Sequence, residues 1–174
     1  LYQQFLKLSG DLFCSQENYL VLDSDTLLVK PQVFERDGKY IFNFGDEYHK
    51  PYFDAYERLL GYPAPCPASL TSHHILVNVH KLRQLKVDLE ARNGLAWYDA
   101  IMKAIDKSEI SGHSDYDTYG QYVLGGMKDG IYLEYWHNLS LQRQLISNVD
   151  ELSAKYAKEF KSLSFHSCNI GEPL

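Results

Sequence analysis

With 174 residues, 45% of them apolar and 23% charged, the chain has enough apolar mass for one folded core and too little bias for a disordered, collagenous or fibrous protein. Its 23 acidic against 17 basic residues leave a net charge of -6, which argues against nucleic acid as principal partner, because counterion release needs clustered Lys and Arg. Cys14, Cys66 and Cys168 lack the spacing of a disulfide framework or a thiolate zinc site, and no apolar run approaches the roughly 20 residues that span a bilayer, so the expectation is a cytoplasmic chain, free or peripheral to a membrane, with no transmembrane segment.

Tyr2, Phe5, Leu6 and Leu8 are spaced as in an amphipathic helix stopped by Gly10. Tyr19-Leu20-Val21-Leu22 is a continuous apolar run, predicting a central strand covered on both faces and ended by Asp23 and Asp25. Leu27-Leu28-Val29 forms a second short run, and Val33-Phe34 and Tyr40-Ile41-Phe42 flank Arg36-Asp37-Gly38-Lys39, a hairpin signal. Residues 51–60 have a helical pattern, residues 61–67 form a proline-rich loop, and Ile75 to Val79 a strand. Helices are expected over 82–92, 95–105, 114–124 and 151–163, a strand at 131–133, and an exposed or partly docked tail from Ser164. Strands interspersed with helices predict one α/β layered domain over residues 1–174.

Asp23 and Asp25 stand one residue apart where a buried strand ends, the place at which open α/β sheets bind ligands. Hard divalent cations are commonly bridged by one or two carboxylates to substrate phosphates, so the pair suits a metal-diphosphate; alternatively, the two aspartates only cap the turn after the strand. Ser114 followed by Asp117 has the form of a capping box, and Asp115, at the helix start, shares four- and seven-residue spacing with Tyr119 and Tyr122. Asp115 is the candidate general base, although a helix N-terminus by itself lowers a carboxyl pKa. His73 and His74 are adjacent and, on a strand, point to opposite faces. Trp97, Tyr98, Tyr132, Tyr135 and Trp136 suit either an acceptor site or, individually, the core.

The segment Tyr19-Leu20-Val21-Leu22-Asp23-Ser24-Asp25-Thr26-Leu27-Leu28-Val29-Lys30-Pro31 resembles the strand and DxD of GT-A nucleotide-sugar glycosyltransferases. Thr71-Ser72-His73-His74 with Ile75-Leu76-Val77, and Ser114 to Gln121 around Tyr119-Gly120, are similar to segments of an uncharacterised bacterial group of such enzymes, with Asp where Glu is usual. The resemblance implies a GT-A-like, Rossmann-like layer sandwich that transfers sugar from a nucleoside-diphosphate donor to a carbohydrate or other hydroxyl acceptor. It implies Asp23 and Asp25 as ligands of Mn²⁺ or Mg²⁺, completed by His166 near the C-terminus, with His74 as a substrate contact; Asp117 and Tyr119, beside the candidate base Asp115, are further candidate substrate contacts. Only 22 residues precede Asp23, fewer than the roughly 30 of a βαβ unit, so the nucleoside-binding portion is expected upstream of Leu1, the chain being the C-terminal portion of a GT-A-like catalytic domain.

Two other readings remain open. Phosphatases of the haloacid dehalogenase type also carry two aspartates after a strand, the first a nucleophile and the second an acid/base, but Leu27 and Lys128-Asp129-Gly130 depart from their pattern. The third reading is a non-catalytic domain that binds a carbohydrate or partner.

Overall fold

The computed structural model describes residues 1–143 and 148–166. Helix α1 (Tyr2–Lys7) leads through a 3₁₀ turn into strand β1 (Asn18–Leu22), which pairs antiparallel with β5 (His74–Asn78), Leu22 opposite His74. The acidic turn follows, with Thr26 N–H donating to the Asp23 carbonyl at 3.0 Å, and leads into β2 (Thr26–Leu28). The hairpin of β3 (Glu35–Arg36) and β4 (Lys39–Phe44) forms where Asp-Gly predicted it. Asp37 at φ 54 and Gly38 at φ 70 supply the paired left-handed residues that a two-residue hairpin turn needs.

Helix α2 (Lys50–Leu60) carries Pro51 in its first turn, and α3 (Val79–Asn93) is capped by the Asn78 side chain, which accepts from Lys81 N–H at 3.0 Å. Val79 therefore opens a helix rather than closing a strand. Helices α4 (Trp97–Ala104) and α5 (Asp115–Gly126) follow, then β6 (Ile131–Tyr135), which runs parallel to β4. Together, α2, α3, α4 and α5 pack one core against β1, β4 and β5 through Phe42, Leu59, Leu82, Ile101 and Tyr119, all nearly fully buried. The described residues thus form a mixed α/β fold with three small sheets, and no helix among them is long and apolar enough to cross a membrane.

Three elements depart from the sequence expectations, one of them the unforeseen strand β7 (Asn138–Gln142). Strand β1 is not covered on both faces: Val21 is buried on one, but Leu20 and Leu22, on the other, are each 39% exposed. The expected helix 151–163 ends early, as α6 (Val149–Tyr156), and β8 (Ser162–His166) replaces its end and the expected tail. Strand β8 lies between β2 and β7 (Asn138–Gln142), antiparallel to the first and parallel to the second. Its serines disguised it. Ser162 and Ser164 are fully buried yet satisfied by Asn138 and Ser140, while Leu163 and Phe165 join Val29 and Leu141 in a second, smaller core.

Candidate functional site

The turn after β1 opens into a cleft of about 270 Å³ closed by α1 on one side and the N-terminus of α5 on another. Asp23 and Asp25 both line it, as does Asp115. The three carboxylates expected from sequence at the chemical centre are therefore brought together by tertiary structure.

Lys7, in the last turn of α1, organises them. Its ammonium donates to Asp23 Oδ1 at 2.5 Å and to the Tyr116 hydroxyl at 3.1 Å, and lies 3.7 Å from Asp115 Oδ2. The position of α1 is fixed by the Tyr19 hydroxyl, which donates to the Lys7 carbonyl at 2.7 Å, and by reciprocal contacts between the side chain of Gln4 and His113. His73 forms the opposite wall, with Nδ1 3.5 Å from Asp23 Oδ2 and Nε2 3.9 Å from Glu47 Oε2. Its backbone stands at φ 63, left-handed for a residue with a Cβ. Such a conformation costs about 1 kcal/mol or more and persists when its surroundings hold it, here the Asp23 N–H to His73 carbonyl bond at 2.9 Å that extends the β1–β5 ladder.

The carboxylates are tuned in opposite directions. Burial alone would raise Asp23, but hydrogen bonds from His73 and Lys7 and the lysine charge outweigh it and hold the group at about 2. Asp115 is 5% exposed, and there burial dominates the lysine charge and the helix terminus, pushing its carboxyl up to about 6. The site thus contains one fixed anion and one group that exchanges a proton near neutrality, as a general base must.

The other expected contacts sit elsewhere. His74 lies outside the cleft lining, buried between Phe34 and Trp136, with Nδ1 at 2.8 Å from the Ser72 carbonyl and Nε2 at 2.9 Å from Asn43 Oδ1. Burial drops it to about 4. His73 precedes β5 in left-handed backbone, so strand alternation does not govern its direction, and it is His73 that reaches the cleft. Asp117 accepts from Ser69 Oγ and Leu70 N–H, both at 2.8 Å, and from Thr71 Oγ1 at 3.1 Å. It pins the segment before β5 to α5, while the Ser114 hydroxyl caps the helix through Asp117 N–H at 3.0 Å. Tyr119 is in the core, its hydroxyl accepting from Asn78 N–H at 2.8 Å. His166 ends β8, and its side chain lies outside the described residues; the backbone there runs beside the acidic turn, with Phe165 N–H donating to the Asp25 carbonyl at 2.8 Å.

Lys7, His73 and Glu47 were not legible as site residues. Among the described residues lining the cleft, Lys7 is the one Lys or Arg, against Asp23, Asp25, Glu47 and Asp115. A cleft so charged repels a bare diphosphate and accepts one accompanied by a divalent cation. No group of three His, Cys, Asp or Glu side chains among the described residues is arranged as a metal cage. Asp23 and Asp25 are the carboxylates that could share a divalent cation with ligand phosphates, a common arrangement for Mg²⁺.

No protein-family model matches the chain, and no curated protein is similar to it.

Proposed function

We propose that the chain carries the diphosphate and acceptor chemistry of a metal-dependent glycosyltransferase of GT-A type, moving sugar from a nucleoside-diphosphate donor to an acceptor hydroxyl. One observation carries the reading: an ionised Asp23, its neighbour Asp25 and a proton-exchanging Asp115 open onto one cleft. Asp23 and Asp25 would hold Mn²⁺ or Mg²⁺, which when bound offsets the charge of the departing nucleoside diphosphate. Lys7 keeps Asp23 ionised in the absence of ligand and adds a positive charge beside the phosphates. Asp115 takes the proton of the acceptor hydroxyl, and its upward shift gives it the basicity that an ordinary carboxylate lacks. The backbone of β8 beside Asp25 agrees with a C-terminal contribution to the same site.

A phosphatase reading fits less well. Leu27 and Lys128-Asp129-Gly130 depart from the pattern of such enzymes, and Lys128 is not among the residues lining the cleft.

Calorimetry of nucleoside diphosphate with and without Mn²⁺ tests the proposal. Binding should require the metal and disappear in both Asp23→Asn and Asp25→Asn. Equal binding without metal, or retention in both variants, overturns it.

A further inference from the structure

A second cleft, of about 290 Å³, lies directly behind the first, with Glu47, Thr71 and His73 lining both. The His73 and Glu47 side chains thus form a thin shared wall, held by a strained backbone at His73. The second cleft differs in chemistry. Its floor carries Trp136 and Tyr135, its rim Asp46 and Glu47, and among its described lining residues there is no Lys or Arg.

Trp136 is locked in place: its indole N–H donates to Ser162 Oγ at 2.7 Å, and its ring is flanked by His74 at 4.0 Å and Lys161 at 4.9 Å. Tyr135 is 37% exposed and braced edge-on by His137 at 4.7 Å and Phe44 at 5.7 Å, leaving a fixed aromatic surface accessible. The nearby Asp46 carboxylate draws its phenol pKa upward.

We infer that this second cleft binds a neutral, hydroxyl-rich ring, a sugar unit, whose hydroxyls donate to Asp46 and Glu47 while its C–H face rests on Tyr135. The carboxylates repel anionic ligands and accept from hydroxyls, and an aromatic platform beside hydrogen-bonding groups fits an amphipathic ring. The inference rests on the proposed transfer reaction only in calling this unit the acceptor: a hydroxyl reaching past the His73–Glu47 wall enters the cleft that holds Asp115.

The two tryptophans provide the readout, since Trp97 lies in α4 against Phe5, outside both clefts. Methyl glycosides of glucose, galactose and N-acetylglucosamine are titrated into the chain labelled with ¹⁵N in the indole, with tetramethylammonium as a cationic control. At least one glycoside should shift the Trp136 indole resonance saturably and leave Trp97 in place. Tyr135→Ala should weaken that binding about tenfold, the worth of one aromatic contact. Asp46→Asn, at an exposed rim position, should weaken it too. Asp115→Asn should leave it intact, so failure of the transfer chemistry is separable from failure of the sugar site. Absence of any glycoside shift, equal shifts at both tryptophans, a response to tetramethylammonium alone, or binding indifferent to both Tyr135→Ala and Asp46→Asn would overturn the inference.

Discussion

The tip of β1 and the first turn of α5 each present an aspartate to the same lysine, and the two carboxyls move to opposite sides of their ordinary value. Asp23 receives hydrogen bonds from Lys7 and His73, whereas Asp115 has the lysine at 3.7 Å and is almost sealed from water. A shared cation therefore does not decide the charge state. The balance of donors against desolvation does, and at Asp115 desolvation exceeds even the favourable helix terminus. The difference separates a group built to remain charged from one built to trade a proton.

The largest expected effect comes from removing the fixed charge. Asp23→Asn should abolish metal-dependent diphosphate binding and lower transfer by at least about a hundredfold, as expected for loss of a group that holds a Lewis acid. Its stability signature is equally specific. Because the folded carboxyl sits at about 2 against an ordinary 3.8, Asp23 contributes stability above 3.8 that is lost as pH falls towards 2. Acid unfolding of Asp23→Asn, followed by circular dichroism, should lack that part of the slope.

Asp115→Asn should lower kcat by about 10² to 10⁴ with little change in donor affinity, measured as a split between kcat and KM. Wild-type activity should rise with pH through about 6, where Asp115 loses its proton. Here the stability sign reverses. The folded state holds a proton that the unfolded chain releases from 3.8 upward, so stability present in acid is lost as pH rises to about 6. Urea unfolding at several pH values should show that decline in the wild type and a flatter profile in the variant.

Lys7→Met addresses both carboxyls at once. Losing the lysine leaves Asp23 and Asp115 as uncompensated charges and should cost about 3 kcal/mol at neutral pH by urea unfolding. Because Lys7 lowers the Asp115 pKa, its removal should move the rise in activity to higher pH. An unshifted profile would mean that Asp115 is not the titrating base. The smallest effect is expected at His73→Asn. Asparagine tolerates left-handed backbone, so stability should stay within about 1 kcal/mol of wild type while Asp23, losing its imidazole partner, titrates at higher pH by NMR.

The acidic strand tip and the start of α5 were readable because their signals are local. An apolar run ends in Asp-x-Asp, and a serine three residues before Asp117 caps a helix in the way that spacing dictates. Capping also gave Asp117 a local explanation, although its carboxylate works across the fold at Ser69, Leu70 and Thr71. The pattern favours His74 over its neighbour, yet His74 is buried and its ring nitrogens are taken up by the Ser72 carbonyl and Asn43. The sequence predicts the end of a helix and a tail where β8 stands because Ser162 and Ser164 count as polar, and Asn138, Ser140 and Trp136 make them cheap to bury. Leu20 and Leu22 differ in the other direction: an apolar run predicts a strand covered on both faces, yet the face that carries these two leucines is left half open.

The sequence alone determined the α/β character, most helices and turns, and the two places where carboxylates cluster, since caps, periodicity and Asp-Gly turns act over a few residues. Only the tertiary structure decided that Lys7, 16 residues before Asp23 and 108 before Asp115, stands between them, and that His73 rather than His74 faces the cleft. Charge state and burial depend on what distant segments bring within a few ångströms, and that information resides in packing rather than in any local pattern of residues.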